Sequence, residues 1–358
     1  MKRILIGLAV LIAIGVAVAA LFREQIVMRA MEGVVADRMA ADVIGDLPDG
    51  LHVALCGAGS PLPDEKRSGP CTAVIAGKTL LVFDAGTGGA RQLALMNMPV
   101  GQIEALFLTH FHSDHIDGLG EMMLQRWVNG SNTAPLPIYG PPGTRQVVAG
   151  FNLAYAHDFT YRVAHHGEET VPPGGAGGEA HVFVDALPGA LKTVFTKGEN
   201  LTVQAFQVNH HPVHPAIGYK VIYKDRSLII SGDTKKSPLV AKAAKGVDLL
   251  VHEALSPELV GVMTKAAQEA GRANIAKITH DILDYHTSPV EAAQIAAEAQ
   301  VGMLLYTHIV PPLPLAPMKS VFLRGVSDVY SGPVEIGEDG TLVSLPAGTT
   351  DIETGNLK

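Results

Sequence analysis

The sequence predicts an α/β fold in which helices cover β-sheets, preceded by one apolar helix. Three observations predict it. Short apolar or alternating runs, such as 51–55, 79–83, 247–251 and 301–306, recur between stretches that read as helices. Helix starts are signalled at Ser237-Pro238, at Ser256-Pro257, and at Ser288-Pro289, where Glu291 completes a capping box. Histidines and carboxylates gather where the runs end, at Asp84, His110, Asp233, His252-Glu253 and His308. Side chains at the ends of neighbouring strands lie along one sheet edge, so they can meet.

Taken in order, Lys2 and Arg3 stand ahead of an unbroken apolar run over 4–22. That order directs the N-terminus to the cytoplasm and the remainder across the membrane. The run is close to the ~20 residues that span a bilayer, while Ala17-Val18-Ala19 also resembles a signal-peptidase site. Residues 1–22 are expected to be a transmembrane anchor or signal peptide. The body is then held on the periplasmic side of an inner membrane, or secreted if cleavage falls near Ala19. Residues 23–50 read as a helical stalk, closed by Gly45, Pro48 and Gly50. A hydrolase-sized body over 51–345 and a tail over 346–358 follow.

Within the body, 72–76 and 79–83 pair as a hairpin around Gly77-Lys78. Gly57-Ala58-Gly59 runs into Pro61 and Pro63 rather than a helix, so it is no phosphate loop. Helices are expected over 89–96, 119–128 and 144–156, and a Gly/Pro-rich surface loop that takes in His165-His166 and 172–178. His165-His166 have nothing nearby to complete a metal shell. The stretch 127–195 reads as an insert over the active site. Strands are expected again over 201–208, 219–223 and 227–230.

Composition sets limits. The chain has 358 residues, 47% of them apolar and 17% charged, enough for a substantial core. A net charge of −8 argues against gripping nucleic acid chiefly through its phosphates. Cys56 and Cys71 are too few for a disulfide framework or a Cys-based zinc module. They flank one loop, and either bridge or stay separate thiols.

The sharpest signal follows the run 103–108. His110, His112, Asp114 and His115 fall within six positions. Imidazole nitrogen and carboxylate oxygen together suit zinc and other borderline or hard divalent ions. A chain leaving a strand and turning can bend all four side chains toward one point.

Phe83-Asp84-Ala85-Gly86, the stretch from Thr109 to His115, and His210 with Gly218-Tyr219 behind it form a recognisable series. Ser231-Gly232-Asp233-Thr234, His252-Glu253-Ala254, His286-Thr287-Ser288 and Thr307-His308 complete it. Over about 51–313 the series resembles the metallo-β-lactamase fold superfamily, in its branch of ribonuclease Z-like and arylsulfatase-like hydrolases. The resemblance implies a four-layer αββα sandwich. It implies two metal ions, with His110, His112 and His210 on the first and Asp114, His115 and His308 on the second. Asp233 would bridge them. His211 and His214 rival His210, which is preferred for its distance from Gly218-Tyr219. Zinc is the expected metal, and iron or manganese suits the same ligands. Such a centre can hold a hydroxide between its ions as nucleophile. The implied catalytic residues are Asp114, which can also accept a hydrogen bond from the attacking water, and His286 as proton donor oriented by Glu253. His286 packing at the helix start is the plainer alternative. Asp84 and Asp117 either steady the ligand loops or form turns.

One departure shapes the functional expectation. In ribonuclease Z the arm that grips tRNA is a long insertion between the third histidine motif and the bridging aspartate. Here only 219–232 intervene, enough for a hairpin. With the acidic body and export signal, the sequence predicts an extracytoplasmic hydrolase of a small-molecule ester. Phosphodiester or aryl sulfate stands ahead of lactone or β-lactam. Nucleic acid is not expected as a partner, the membrane is, and an oligomer is compatible. The alternatives are a tRNA 3′ endonuclease of ribonuclease Z type and a metal-containing binding protein without turnover.

Overall fold

The computed structural model describes residues 2–183 and 189–358, though not every side chain within 2–18. Two compact units divide at Val43 and Ile44. The first holds the helices Lys2–Leu21 and Arg23–Ala40, the latter with no buried residue. Among the described residues no helix is long and apolar enough to cross a membrane. The anchor or signal read over 1–22 falls on a helix, but part of that stretch lies outside the described residues.

The second unit is a mixed α/β sandwich of two sheets. The first sheet takes β1 (Gly50–Gly57), β2 (Cys71–Ala76), β3 (Thr79–Phe83), β4 (Ile103–Phe107), β5 (Leu136–Gly140) and β6 (Gly178–Val182). The second takes β7 (Lys192–Lys197), β8 (Leu201–Gln207), β9 (Ile217–Tyr223), β10 (Arg226–Ile230), β11 (Leu249–Leu255), β12 (Met303–Val310) and β13 (Val334–Ile336). The chain then returns to the first sheet with β14 (Thr341–Pro346) and β15 (Glu353–Asn356). The orders are β15-β14-β1-β2-β3-β4-β5-β6 and β13-β12-β11-β10-β9-β8-β7. The stretch expected as a tail thus carries an edge strand, paired antiparallel with β14.

Alternation along the strands builds the core between the sheets. Leu51, Val53 and Leu55 point inward to meet Phe83, Phe107, Val203, Tyr219 and Leu305. Phe83 stacks on Phe107 at 4.8 Å, and Tyr219 meets Phe83 edge-on at 5.3 Å. The buried Tyr219 hydroxyl donates to Leu108 O at 2.6 Å, tying the core to the backbone just ahead of the histidine loop. On the outer face of the second sheet, Ile229, Leu250 and Leu304 pack against Val240, Ala292 and Ile295 of flanking helices. β11 is buried at every position because its parallel neighbours and covering helices leave neither face to solvent.

Several local expectations meet their structure here. Cys56, ending β1, is bonded to Cys71, opening β2, with Cα atoms 4.9 Å apart. The helix expected over 144–156 runs on as Thr144–His166, so His165 and His166 end a helix rather than sit in a loop. The insert expected over 127–195 builds β5, that long helix, β6 and the start of β7, at the far edges of the sheets. Its residues 184–188 lie outside the described ones.

Candidate metal centre

The functional side chains come from neighbouring strand ends, as parallel pairing of β3 with β4 and of β10 with β11 and β12 requires. After β4 the chain turns, presents His110 and His112, and winds one helical turn, Ser113–Ile116, that carries Asp114 and His115. His210 follows β8, and Asp233 follows β10. His252, Glu253 and His308, expected at strand exits, lie inside β11 and β12 instead. Thr307 pairs with Glu253 and Ile309 with Ala254, which leaves His308 as the extra residue of a bulge, at φ 46°. A bulge re-aims a side chain that regular pleating would send elsewhere.

Two groups form around one oxygen. Asp233 Oδ2 lies 3.8 Å from His110 Nε2 and 3.9 Å from His210 Nε2. His112 Nδ1 completes that group, 3.0 Å from His110 Nε2 and 3.4 Å from His210 Nε2. The same oxygen lies 3.4 Å from His115 Nε2 and 3.3 Å from His308 Nε2. Asp114 Oδ2 closes the second group, 3.3 Å from His308 Nε2 and 3.7 Å from His115 Nε2. Two ligands of a tetrahedral ion with bonds of ~2.1 Å lie ~3.4 Å apart, so these spacings fit metal ligation. Buried His115 Nε2 and Asp233 Oδ1 have no hydrogen-bond partner in the protein, as ligand atoms would not.

The outward sides of the rings are tied down. Asp84, held at φ 57°, accepts from the Thr109 hydroxyl and from His115 Nδ1, both at 2.8 Å. Because that hydroxyl donates to Asp84, its oxygen accepts from His110 Nδ1 at 3.0 Å. His210 Nδ1 donates to Tyr285 O at 2.9 Å. In all three rings Nδ1 is engaged on the outward side, so Nε2 is the atom that faces the cluster. Asp117 is exposed and serves the helical turn through its N–H, which donates to Ser113 O. Burial singles out His210: His211 and His214 are exposed, and His165 and His166 lie exposed away from the cluster.

Electrostatics follow the geometry. Burial keeps His110 well below its ordinary pKa, and lowers His112 and His210, so these rings are neutral. Burial works against the charge on Asp233, but the rings of His308 and His115 hold its carboxyl well below the usual range. Beside them Glu253 is buried, and its Oε1 accepts from His286 Nδ1, Thr234 N and Thr287 N, each at 3.1 Å. Burial disfavours charge on His286, yet the Glu253 carboxylate raises it to about 9. A His286 ring nitrogen lies within 4.8 Å of ligand atoms of Asp233 and His308.

A cavity of about 120 Å³ opens over this cluster, with His112, Asp114, Asp233, His286 and His308 on one side. Its other walls are Ser60, Pro61, Leu62, Ile278, Thr279, Ile282, Tyr285 and Val310, and none of its lining comes from the described residues of 127–195. The cover expected from that insert is supplied instead by the helix Ala273–Asp281 and the turn Ile282–Asp284. Sequence reasoning passed over Thr109, Tyr285 and this outer wall. Thr109 and Tyr285 directly precede the ligand loop and His286, and that adjacency was the available signal.

The description Metallo-beta-lactamase superfamily matches residues 65–308. Ribonuclease Z of Mycolicibacterium paratuberculosis is 34% identical over 299 residues, which cover 83% of this chain and 99% of that protein. Among solved structures, the metallo-beta-lactamase fold protein YhfI from Bacillus subtilis aligns with TM-score 0.59 and 20% identity, over 83% of this chain and 100% of that one. Human tRNase Z, short form, aligns with TM-score 0.55 and 21% identity, over 82% and 99%.

Proposed function

We propose that this chain, which belongs to the metallo-beta-lactamase superfamily and to its ribonuclease Z-like branch, is a phosphodiesterase that works with two divalent ions, zinc foremost. The observation that carries this reading is Asp233 Oδ2 lying between two sets of imidazoles, His110 and His210 on one side and His115 and His308 on the other. The full-length relative named ribonuclease Z makes RNA the first substrate to test, against the expectation that nucleic acid is no partner.

In this reading His110, His112, His210 and Asp233 would hold one ion, and Asp114, His115, His308 and Asp233 the other. Ions so held lower the pKa of water toward neutrality and stabilise charge on an ester oxygen. The chain's own residues do the remainder. Asp84, Thr109 and Tyr285 O fix ring orientation, so no reorganisation is needed when charge develops. Glu253 occupies His286 Nδ1 and leaves Nε2 to donate a proton to the departing oxygen. In the metal-free protein its pKa is raised to about 9 by the Glu253 carboxylate, the pairing that lets His286 hold a proton.

A second reading, a small phosphodiester, is favoured by the hairpin between β9 and β10, which turns at Lys224 and Asp225 and has no arm. The body outside the cytoplasm belongs to the same proposal. It is supported by Lys2-Arg3 ahead of the apolar run and by a bridge of the kind that persists in oxidising compartments.

The test compares precursor tRNA 3′ cleavage with turnover of bis(p-nitrophenyl) phosphate, p-nitrophenyl sulfate, a lactone and nitrocefin, with and without chelator. Chelator-sensitive turnover of either phosphodiester supports the proposal. Silence on both with two metals bound contradicts it: turnover of the sulfate, lactone or nitrocefin then points to another hydrolase, and silence on the whole panel to the binding-protein alternative.

A further inference from the structure

We propose that the site selects an ester whose non-reacting substituent is uncharged and apolar, an aryl ring or alkyl chain, seated against Leu62, Ile278, Ile282 and Val310. This rests on the phosphodiesterase reading and gives its second form a substrate class. The same cavity that touches the ligand side chains is closed on its outer side by these four residues. The whole cavity, its ligand side included, is about 120 Å³, and Leu62, Ile278, Ile282 and Val310 supply its aliphatic share together with Pro61. The wall is firmly backed, because Leu62 and Ile282 pack on the buried cluster of Leu255, Val260 and Val310.

Of the polar side chains in that wall, Thr279 is already engaged. Thr279 donates to Ile275 O at 2.9 Å and accepts from Thr264 at 2.9 Å, which leaves its methyl for a ligand. Among the described residues no lysine or arginine lines the cavity. Two lysines on adjoining segments are paired: Lys235 with Asp284 at 3.8 Å, and Lys277 with Asp281 at 2.6 Å. A substrate with further phosphates would need cations to meet them and would instead approach the carboxylates of Asp281 and Asp284. An apolar group loses nothing there and gains by leaving water. Ile278 is 59% exposed at the rim of this wall. A lone exposed isoleucine needs no explanation, but one continuous with an apolar wall beside a reactive centre does.

The experiment uses the full chain loaded with zinc and a series of p-nitrophenyl phosphodiesters with a constant leaving group. The second ester group is methyl, butyl, hexyl or phenyl. We expect kcat/KM to rise about threefold per buried methylene until the wall is filled, with phenyl well above methyl. Ile278→Asp and Ile282→Ala, each checked for two bound metals, should cut the phenyl-to-methyl ratio by about tenfold. Calorimetric binding of methyl-, hexyl- and phenylphosphonate reads the same preference without turnover. A flat series, or a steep one that neither substitution alters, overturns the inference while the phosphodiesterase reading stands. Phosphonate preference that the substitutions abolish, without turnover of any ester, supports the pocket assignment and sinks the phosphodiesterase reading.

Discussion

The two sides of the cavity are built on opposite principles. The inner side is seven candidate ligand side chains on strand ends and a strand bulge, buried or half-buried, with the outward nitrogens of His110, His115 and His210 held by hydrogen bonds. The outer side is a short helix and turn, partly exposed, joined by Leu62 of the loop after β1 and Val310 at the end of β12, and it presents mainly apolar side chains. The contrast teaches where chemistry and specificity reside. A centre that must hold its geometry to fractions of an ångström is placed on the sheets, while a surface that has only to fit a substituent is placed on an element that can vary.

That contrast can be broken from either side, and the effects should fall in order. Asp233→Ala removes the oxygen shared by both groups, so kcat should drop on the order of 10⁴-fold or more, with metal content falling in elemental analysis. His286→Ala should lower kcat about 10²-fold for esters with poor leaving groups and far less for p-nitrophenolate, which leaves without a proton. A drop that is equal for both leaving groups would remove His286 from the proton-donor role. Asp84→Asn weakens the hold on His115 and Thr109 and should loosen metal binding roughly 10–100-fold, read by competition with a chromophoric chelator. On the outer side, Ile278→Asp should change stability by no more than about 0.5 kcal/mol in urea unfolding, because it is a surface change away from buried structure.

The pH dependence sharpens the same comparison. His286 has a folded-state pKa raised to about 9 above its ordinary 6.5, so its pairing with Glu253 contributes stability that is fully present below the lower value. The contribution is lost as pH rises through about 9. In metal-free protein the stability difference between wild type and His286→Ala should therefore shrink from pH 6 to pH 10. A difference that grew would contradict the pairing.

Much of the inner side was legible in the sequence because the information is local. Four ligand-type residues in six positions, and short motifs such as Ser231-Gly232-Asp233, need little tertiary context. Choosing His210 over His211 and His214 needed burial, which spacing alone does not supply. His308 was readable as a candidate, but the bulge that aims it arises from pairing with β11, half a hundred residues away. The outer side was not legible. The helix Ala273–Asp281 has an ordinary amphipathic pattern, and nothing in that pattern says which cavity its apolar face will line. The insert 127–195 drew attention by its length and glycines, yet its strands extend the far sheet edges.

The central claim is that two ions share Asp233 and that turnover depends on them. The most direct measurement is elemental analysis of protein purified without added metal, paired with bis(p-nitrophenyl) phosphate turnover before and after chelation and readdition. The account predicts two divalent ions per chain, and activity that vanishes and returns with them. Fewer than two ions in fully active protein, or turnover indifferent to the chelator, would contradict it.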